Sequence, residues 1–227
     1  MIDTSREARD PYCLTDGEAD ELLRGAPWRR FVVVGDSLAK GVGEPAEGYL
    51  TRSWAERTVA ALRRAQTGLE YLNLGVENLR AADVRATQLA AAVEFRPDLA
   101  AVVCGGNDLL PTDFAPESVE ADLDVILGSL RAAGADLVTF TLQDITQAYP
   151  MLAEGPLLPR IRALNDVVRA VSARHDAVVV EMWGHPAQSE TDIYSADLMH
   201  ASMRGHAIVS AETIRGLGRL IAASVAS

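Results

Sequence analysis

The sequence predicts an α/β fold: an open, mostly parallel sheet with helices on both faces. Three observations carry this. Short apolar runs rich in β-branched residues recur along the chain without alternating apolar and polar, as strands buried on both faces do. Helix-period stretches separate them, and parallel neighbours need such crossovers. The length of 227 residues suits one domain at ~100–200 residues each.

The elements follow in order. Residues 1–30 form a polar N-terminal extension, expected to pack on a domain spanning 31–227. The extension holds one amphipathic stretch, 15–24, with Thr15 or Asp16 as its cap. The run Phe31-Val32-Val33-Val34 is the first strand, stopped by Gly35. A helix over 49–64 places Leu50, Trp54, Val59 and Leu62 in register. Residues 69–74 form the second strand, ending at Gly75. An Ala-rich helix over 82–95 leads to the third strand, 99–104, which ends at Gly105-Gly106. The helix over 116–133 lines up Val119, Leu123, Ile126, Leu127 and Leu130 on one face, and Gly134 stops it. The fourth strand is 136–142. The helix over 158–174 carries Ile161, Leu164, Val168 and Val171. The fifth strand is 177–180, and a last helix runs over 203–225.

Composition bounds the function. Hydrophobic residues are 48% and charged residues 23%, and the formal net charge is −11. That balance argues against nonspecific binding to nucleic acid or to an anionic membrane, where Lys and Arg would be in excess. The N-terminus lacks the apolar core of a signal peptide. No apolar run approaches the ~20 residues of a bilayer span. The expected location is the cytoplasm. Of the two cysteines, Cys104 lies in an apolar run and reads as a buried thiol, while Cys13 lies in the polar leader. Nothing in the sequence supports a disulfide between them.

In open parallel sheets, ligands bind beyond the carboxyl ends of the strands. The residues there are therefore the candidates. Gly35-Asp36-Ser37-Leu38 places a serine on a tight strand-to-helix turn, where the hydroxyl is exposed. Serine is a weak nucleophile until a base takes its proton; by itself it could equally cap a helix. Gly106-Asn107-Asp108 offers an uncharged amide donor suited to an oxyanion, or simply a turn. Gly75 could present a backbone N–H to the same oxyanion. Asp197-Leu198-Met199-His200 sets a carboxylate three residues before an imidazole. It can fix the tautomer at Nδ1 and leave Nε2 free to accept a proton. Each signal is ambiguous alone. Together, at strand ends and in a compatible order, they are much stronger.

These motifs resemble the SGNH hydrolases, also called the GDSL esterase/lipase family. Gly35-Asp36-Ser37-Leu38 is similar to the family's nucleophile block, Gly75 to its glycine block, Gly106-Asn107-Asp108 to its Gly-x-Asn-Asp block, and Asp197-x-x-His200 to its last block. All stand in the family's order, and the resemblance covers about residues 31–220. Trp183-Gly184-His185-Pro186 looks like intracellular bacterial members. The resemblance implies a flavodoxin-like three-layer α/β/α sandwich with a five-stranded parallel sheet. It also implies roles: Ser37 as nucleophile, His200 as base and then acid, and Asp197 as the group that orients His200. The oxyanion hole would comprise the Ser37 and Gly75 N–H groups and the Asn107 amide.

The last block of the family often reads Asp-Gly-x-His-Pro. Here Leu198 and Ala201 take the Gly and Pro positions, which bears on loop geometry rather than on chemistry. His206 is a competing base, but it falls at the start of the last helix, where packing or capping is the plainer role. Asp36 and His185 are candidate substrate contacts. Asp36 and Asp108 also read as loop hydrogen-bonders. The expected reaction needs no metal and no organic cofactor. The expected partner is a small-molecule acyl ester, with acetyl as the analogy-based guess for the acyl group. Neither oligomeric state nor pathway is legible. Rival readings are an acyltransferase with the same triad, a noncatalytic flavodoxin-like binding protein, and a metal phosphoesterase using Asp36, Asn107 and His200. The last lacks a tight carboxylate–histidine cluster.

Overall fold

The first strand shows why the apolar runs do not alternate with polar residues. In the computed structural model, which describes residues 4–225, Arg30–Gly35 forms β1. Phe31 and Val33 face one apolar cluster and Val32 and Val34 face the other. Both sides of β1 are thus buried, as a central parallel strand requires. β1 pairs in parallel with β2 (Glu70–Asn73) on one side and β3 (Leu99–Val103) on the other, with Val33 opposite both Asn73 and Ala101. β4 (Asp136–Phe140) follows β3, and β5 (Val178–Val180) closes the sheet. The strand order is β2-β1-β3-β4-β5. The chain therefore reverses its direction of travel between β1 and β3. Such a switch point opens a crevice at the strand carboxyl ends.

Helices cover both faces. α1 (Asp16–Leu22), α3 (Trp54–Ala65) and α7 (Met203–Val225) lie over Phe31 and Val33. α4 (Ala81–Glu94), α5 (Pro116–Ala132) and α6 (Leu157–Arg174) lie over Val32 and Val34. A single-turn helix, α2 (Ser37–Lys40), follows β1 directly. The result is the three-layer α/β/α fold.

Local chemistry sets the helix starts. Thr15 caps α1 in a capping box with Glu18, so the cap is Thr15 and not Asp16. Ser53 and Glu56 form the same box at α3. The helix therefore begins at Trp54, later than hydrophobic spacing alone suggested. The preceding residues face the N-terminal extension instead: Tyr49 Oη donates to Asp10 and Leu50 N to Glu7.

The extension contributes to the domain's core rather than only lying on it. Leu23 and Trp28 are buried with α7 residues Ile214 and Leu217. Trp28 Nε1 also donates to Asp136 Oδ2 at 2.8 Å. Cys13 and Cys104 are free thiols. Among the described residues, no helix is long and apolar enough to cross a membrane.

Candidate active site

The crevice between the ends of β1 and β3 is built around a glycine. Gly35 has φ 146°, and a Cβ there would lie 1.8 Å from the Val103 carbonyl oxygen. Only glycine lets β1 run this close to β3 before turning. The buried Gln88 side chain then holds Gly35 from both sides, accepting from its N–H and donating to its carbonyl at 2.8 Å each. Gly35 O also accepts from Val76 N, just past β2, at 3.1 Å. Asp36 N donates to Val103 O at 3.1 Å, and Asp36 Oδ1 caps α2 by accepting from Leu38 N at 3.0 Å. Ser37 is thereby fixed as the first residue of α2.

Asp36 is almost fully buried. Burial pushes its carboxyl up to about 6, against the opposing pull of the Leu38 N–H and of His200. Across the crevice, Asn107 Nδ2 donates to Leu79 O at 3.0 Å, which leaves its second amide hydrogen available. Asp108 Oδ2 accepts from Ala81 N at 3.0 Å. Asp108 therefore anchors the start of α4, the loop-bonding role read from the sequence. Burial raises its carboxyl above the usual range.

The third piece is the loop before α7. His200 Nδ1 lies 2.6 Å from Asp197 Oδ2. Asp197 Oδ1 accepts from the N–H groups of Met199 at 2.9 Å and His200 at 3.0 Å. Partial burial would raise the Asp197 carboxyl, but these hydrogen bonds outweigh it and hold it at about 2. Asp197 is an anion at neutral pH and holds the ring by Nδ1. The loop itself is clipped in place by Glu44 and Ser195. Glu44 Oε2 accepts from Ala196 N, and Glu44 O accepts from Met203 N. Ser195 Oγ accepts from Glu44 N and donates to Ala201 O, while Ser195 N donates to His200 O at 2.8 Å. Neither Glu44 nor Ser195 was singled out from the sequence. Their partners are some 150 residues apart, and no local pattern signals that.

Asp36, Ser37, Asn107 and His200 all line one cavity of about 230 Å³. Ser37 and His200 share its wall without a direct hydrogen bond among the described residues. That contact commonly tightens only around substrate.

Two candidates do not join them. Gly75 N–H already donates to Asn73 Oδ1 at 2.8 Å, and Asn73 is fixed in turn by donating to Ala39 O. A Cβ on Gly75 would lie 2.3 Å from Lys40 N. The glycine lets its loop pack on α2, with its N–H turned to Asn73 rather than to the cavity in this structure. His185 lies elsewhere too. Its Nδ1 accepts from Ala187 N, its ring meets Tyr12 edge-on, and its Nε2 faces Glu212 of α7. It caps a turn and is not among the residues that line the cavity. His206 is likewise structural: its Nδ1 accepts from Trp54 N and its Nε2 donates to Val42 O.

The model of the GDSL-like lipase/acylhydrolase family matches residues 33–208. The chain belongs to this family. As a GDSL-like acylhydrolase it is a carboxylic ester hydrolase. No curated protein matches it. Among solved structures it is similar to LAE5, an α/β hydrolase enzyme from the metagenome of Lake Arreo. The TM-score is 0.69 and the identity 21%, over 87% of this chain and 97% of that one. The lipase/acylhydrolase of Enterococcus faecalis gives 0.67 and 18%, over 85% and 96%. The acetylxylan esterase Axe2 of Geobacillus stearothermophilus gives 0.68 and 19%, over 86% and 95%. At these identities the likeness is one of fold, and it covers nearly the whole length of each of these structures.

Proposed function

We propose that this enzyme hydrolyses a small-molecule ester through a covalent acyl-enzyme on Ser37. Ser37 Oγ attacks the carbonyl carbon while His200 Nε2 takes the hydroxyl proton. The new Oγ–C bond leaves a tetrahedral oxyanion. Ser37 N–H and the free hydrogen of Asn107 Nδ2 meet that charge. The carbon–alkoxide bond then breaks, and His200 gives its proton to the departing alcohol. Water repeats the cycle, yielding the acid and free Ser37. Asp197 stays ionised throughout and stabilises the imidazolium. The observation that carries the reading is the 2.6 Å Asp197–His200 contact on the rim of the cavity that Ser37 lines. The partner that this reading calls for is a small-molecule acyl ester.

The deciding experiment treats the protein with a fluorophosphonate and reads intact mass, with Ser37→Ala alongside. One adduct on the wild type and none on the variant is the expected result. A folded wild type that takes no adduct would overturn the nucleophile assignment.

A further inference from the structure

We propose that the acyl group this enzyme accepts is a medium-length aliphatic chain, of about six to ten carbons by cavity-volume scaling, rather than acetyl. The proposal rests on the hydrolase reading above and names the substrate class of the same site. The first support is the size and lining of the cavity beneath Ser37. A dry apolar cavity of ~150 Å³ holds the six carbons of benzene. At about 230 Å³, the catalytic end included, this one has room for at most roughly nine carbons on the same scale. An acetyl group would leave most of the wall without contacts.

One face of α6 supplies the length of that wall. Leu157, Ile161, Leu164 and Val168 all line the cavity, and their spacing of four, three and four residues keeps them on a single stripe. At 1.5 Å per residue the stripe spans roughly 16 Å. It offers no hydrogen-bonding side chain, so a hydroxylated or charged acyl group would be stranded against it. Asp36 and His200 are the only carboxylate or imidazole side chains lining the cavity among the described residues, and both belong to the catalytic end. Of the other polar ones, Thr141 is bonded to Glu181 and Tyr194 to Gln188 O, with Gln143 also lining the cavity.

Two independent observations lie at the mouth. Leu110 and Met199 border the cavity, yet each is 58% exposed. Large apolar side chains held in water at a pocket rim mark the path of an apolar ligand. Leu198, between Asp197 and Met199, has φ 58°. Residues other than glycine adopt this left-handed backbone only at a cost. The strained backbone carries a leucine side chain that lines the cavity and packs on the core beneath it. Strain retained at such a position points to a functional use of the side chain.

The test measures kcat/KM for p-nitrophenyl esters from acetate to dodecanoate, with Ser37→Ala as the blank. The expected profile rises by up to about fourfold per buried methylene, peaks between hexanoate and decanoate, and falls beyond. Val168→Phe, which fills the deep end, should lower the octanoate-to-acetate ratio of kcat/KM by about tenfold or more, the worth of two or more methylenes. Ile161→Phe serves the same purpose if the Val168 variant does not fold. A profile highest at acetate, or a ratio unchanged in a folded variant, overturns the acyl-chain assignment and leaves the hydrolase standing. No turnover of any ester, together with no fluorophosphonate adduct, overturns the hydrolase reading itself.

Discussion

Leu198 is a single residue whose backbone and side chain pull in opposite directions. Its φ of 58° favours glycine, while its side chain completes the cavity wall. Two truncations separate the effects. Leu198→Gly and Leu198→Ala both remove the wall, but only alanine keeps a Cβ in the left-handed region. Leu198→Gly should be the more stable of the two by about 1 kcal/mol, despite glycine's looser unfolded chain. Urea unfolding of both variants checks this, and alanine equal to or above glycine would mean the backbone is not strained. The sequence already marked this position, because the motif it resembles carries glycine there. It could not show that the loop keeps the left-handed turn and tolerates leucine in it. Gly75 is the converse case. Its place in the motif was legible, but its N–H is taken by Asn73 Oδ1, a partner two residues back that spacing does not reveal. Ser37 and Asn107 were legible as candidates because they follow β1 and β3 closely, whereas Asp197 and His200, well past β5 in the loop before α7, were legible only from their own spacing.

Elements meet through groups that a local pattern cannot assign. His206 ties the start of α7 to the start of α3 through Trp54 N and to the loop after α2 through Val42 O. Burial drives its imidazole down to about 4, only partly opposed by the bond to Val42. In the unfolded chain it takes up its proton near 6.5. Its contribution to stability is therefore complete above about 6.5 and is lost as pH falls towards about 4. The stability difference between wild type and His206→Gln should shrink over that window when followed by urea unfolding. A difference constant with pH would show that the ring is not held neutral. Asp36 acts with the opposite sign. Its folded value of about 6 exceeds the unfolded ~3.9, so it lowers stability as pH rises through that interval.

The clip from Glu44 to the loop before α7 makes a catalytic prediction at the same scale. Glu44→Ala frees Ala196 N and loosens the backbone that carries His200. We expect kcat to fall about tenfold, with KM little changed, since small misplacement of a base is costly. Glu44→Gln, which keeps an acceptor for Ala196, should recover most of it. Loss of KM alone would place Glu44 in substrate binding instead. The strands and long helices were legible because each has one strong period. Helix starts shifted where a capping box, as at Ser53 and Glu56, decided the matter over hydrophobic spacing.

Across the whole molecule, Arg204 is the point where distant segments converge. Its guanidinium pairs with Asp10 of the extension and with Glu190 and Asp192 of the turns before the catalytic loop. Asp10 also accepts from Tyr49 Oη and Tyr12 N. Arg204 and Asp10 have side chains only 7% and 2% exposed, whereas Asp192 is 45% exposed. Burial alone would depress the Arg204 pKa, but its hydrogen bonds to these carboxylates outweigh that and raise it. In a chain with a net charge of −11, this one cation holds three carboxylates together. Arg204→Ala would leave the Asp10 charge buried without a counter-charge, held only by Tyr49 Oη and Tyr12 N, a change that typically costs ~3–5 kcal/mol. For a domain of this size each kcal/mol moves the midpoint by ~2–4 °C, so Tm should fall by about 10 °C. Asp192→Ala removes a half-exposed partner and should cost less than ~1 kcal/mol. Arg204→Met combined with Asp10→Asn should melt above Arg204→Ala, because no charge is then stranded. Thermal unfolding followed by circular dichroism separates the cases. If Arg204→Ala melts within two or three degrees of wild type, water reaches Asp10, and the extension is fastened by its apolar contacts at Leu23 and Trp28 instead.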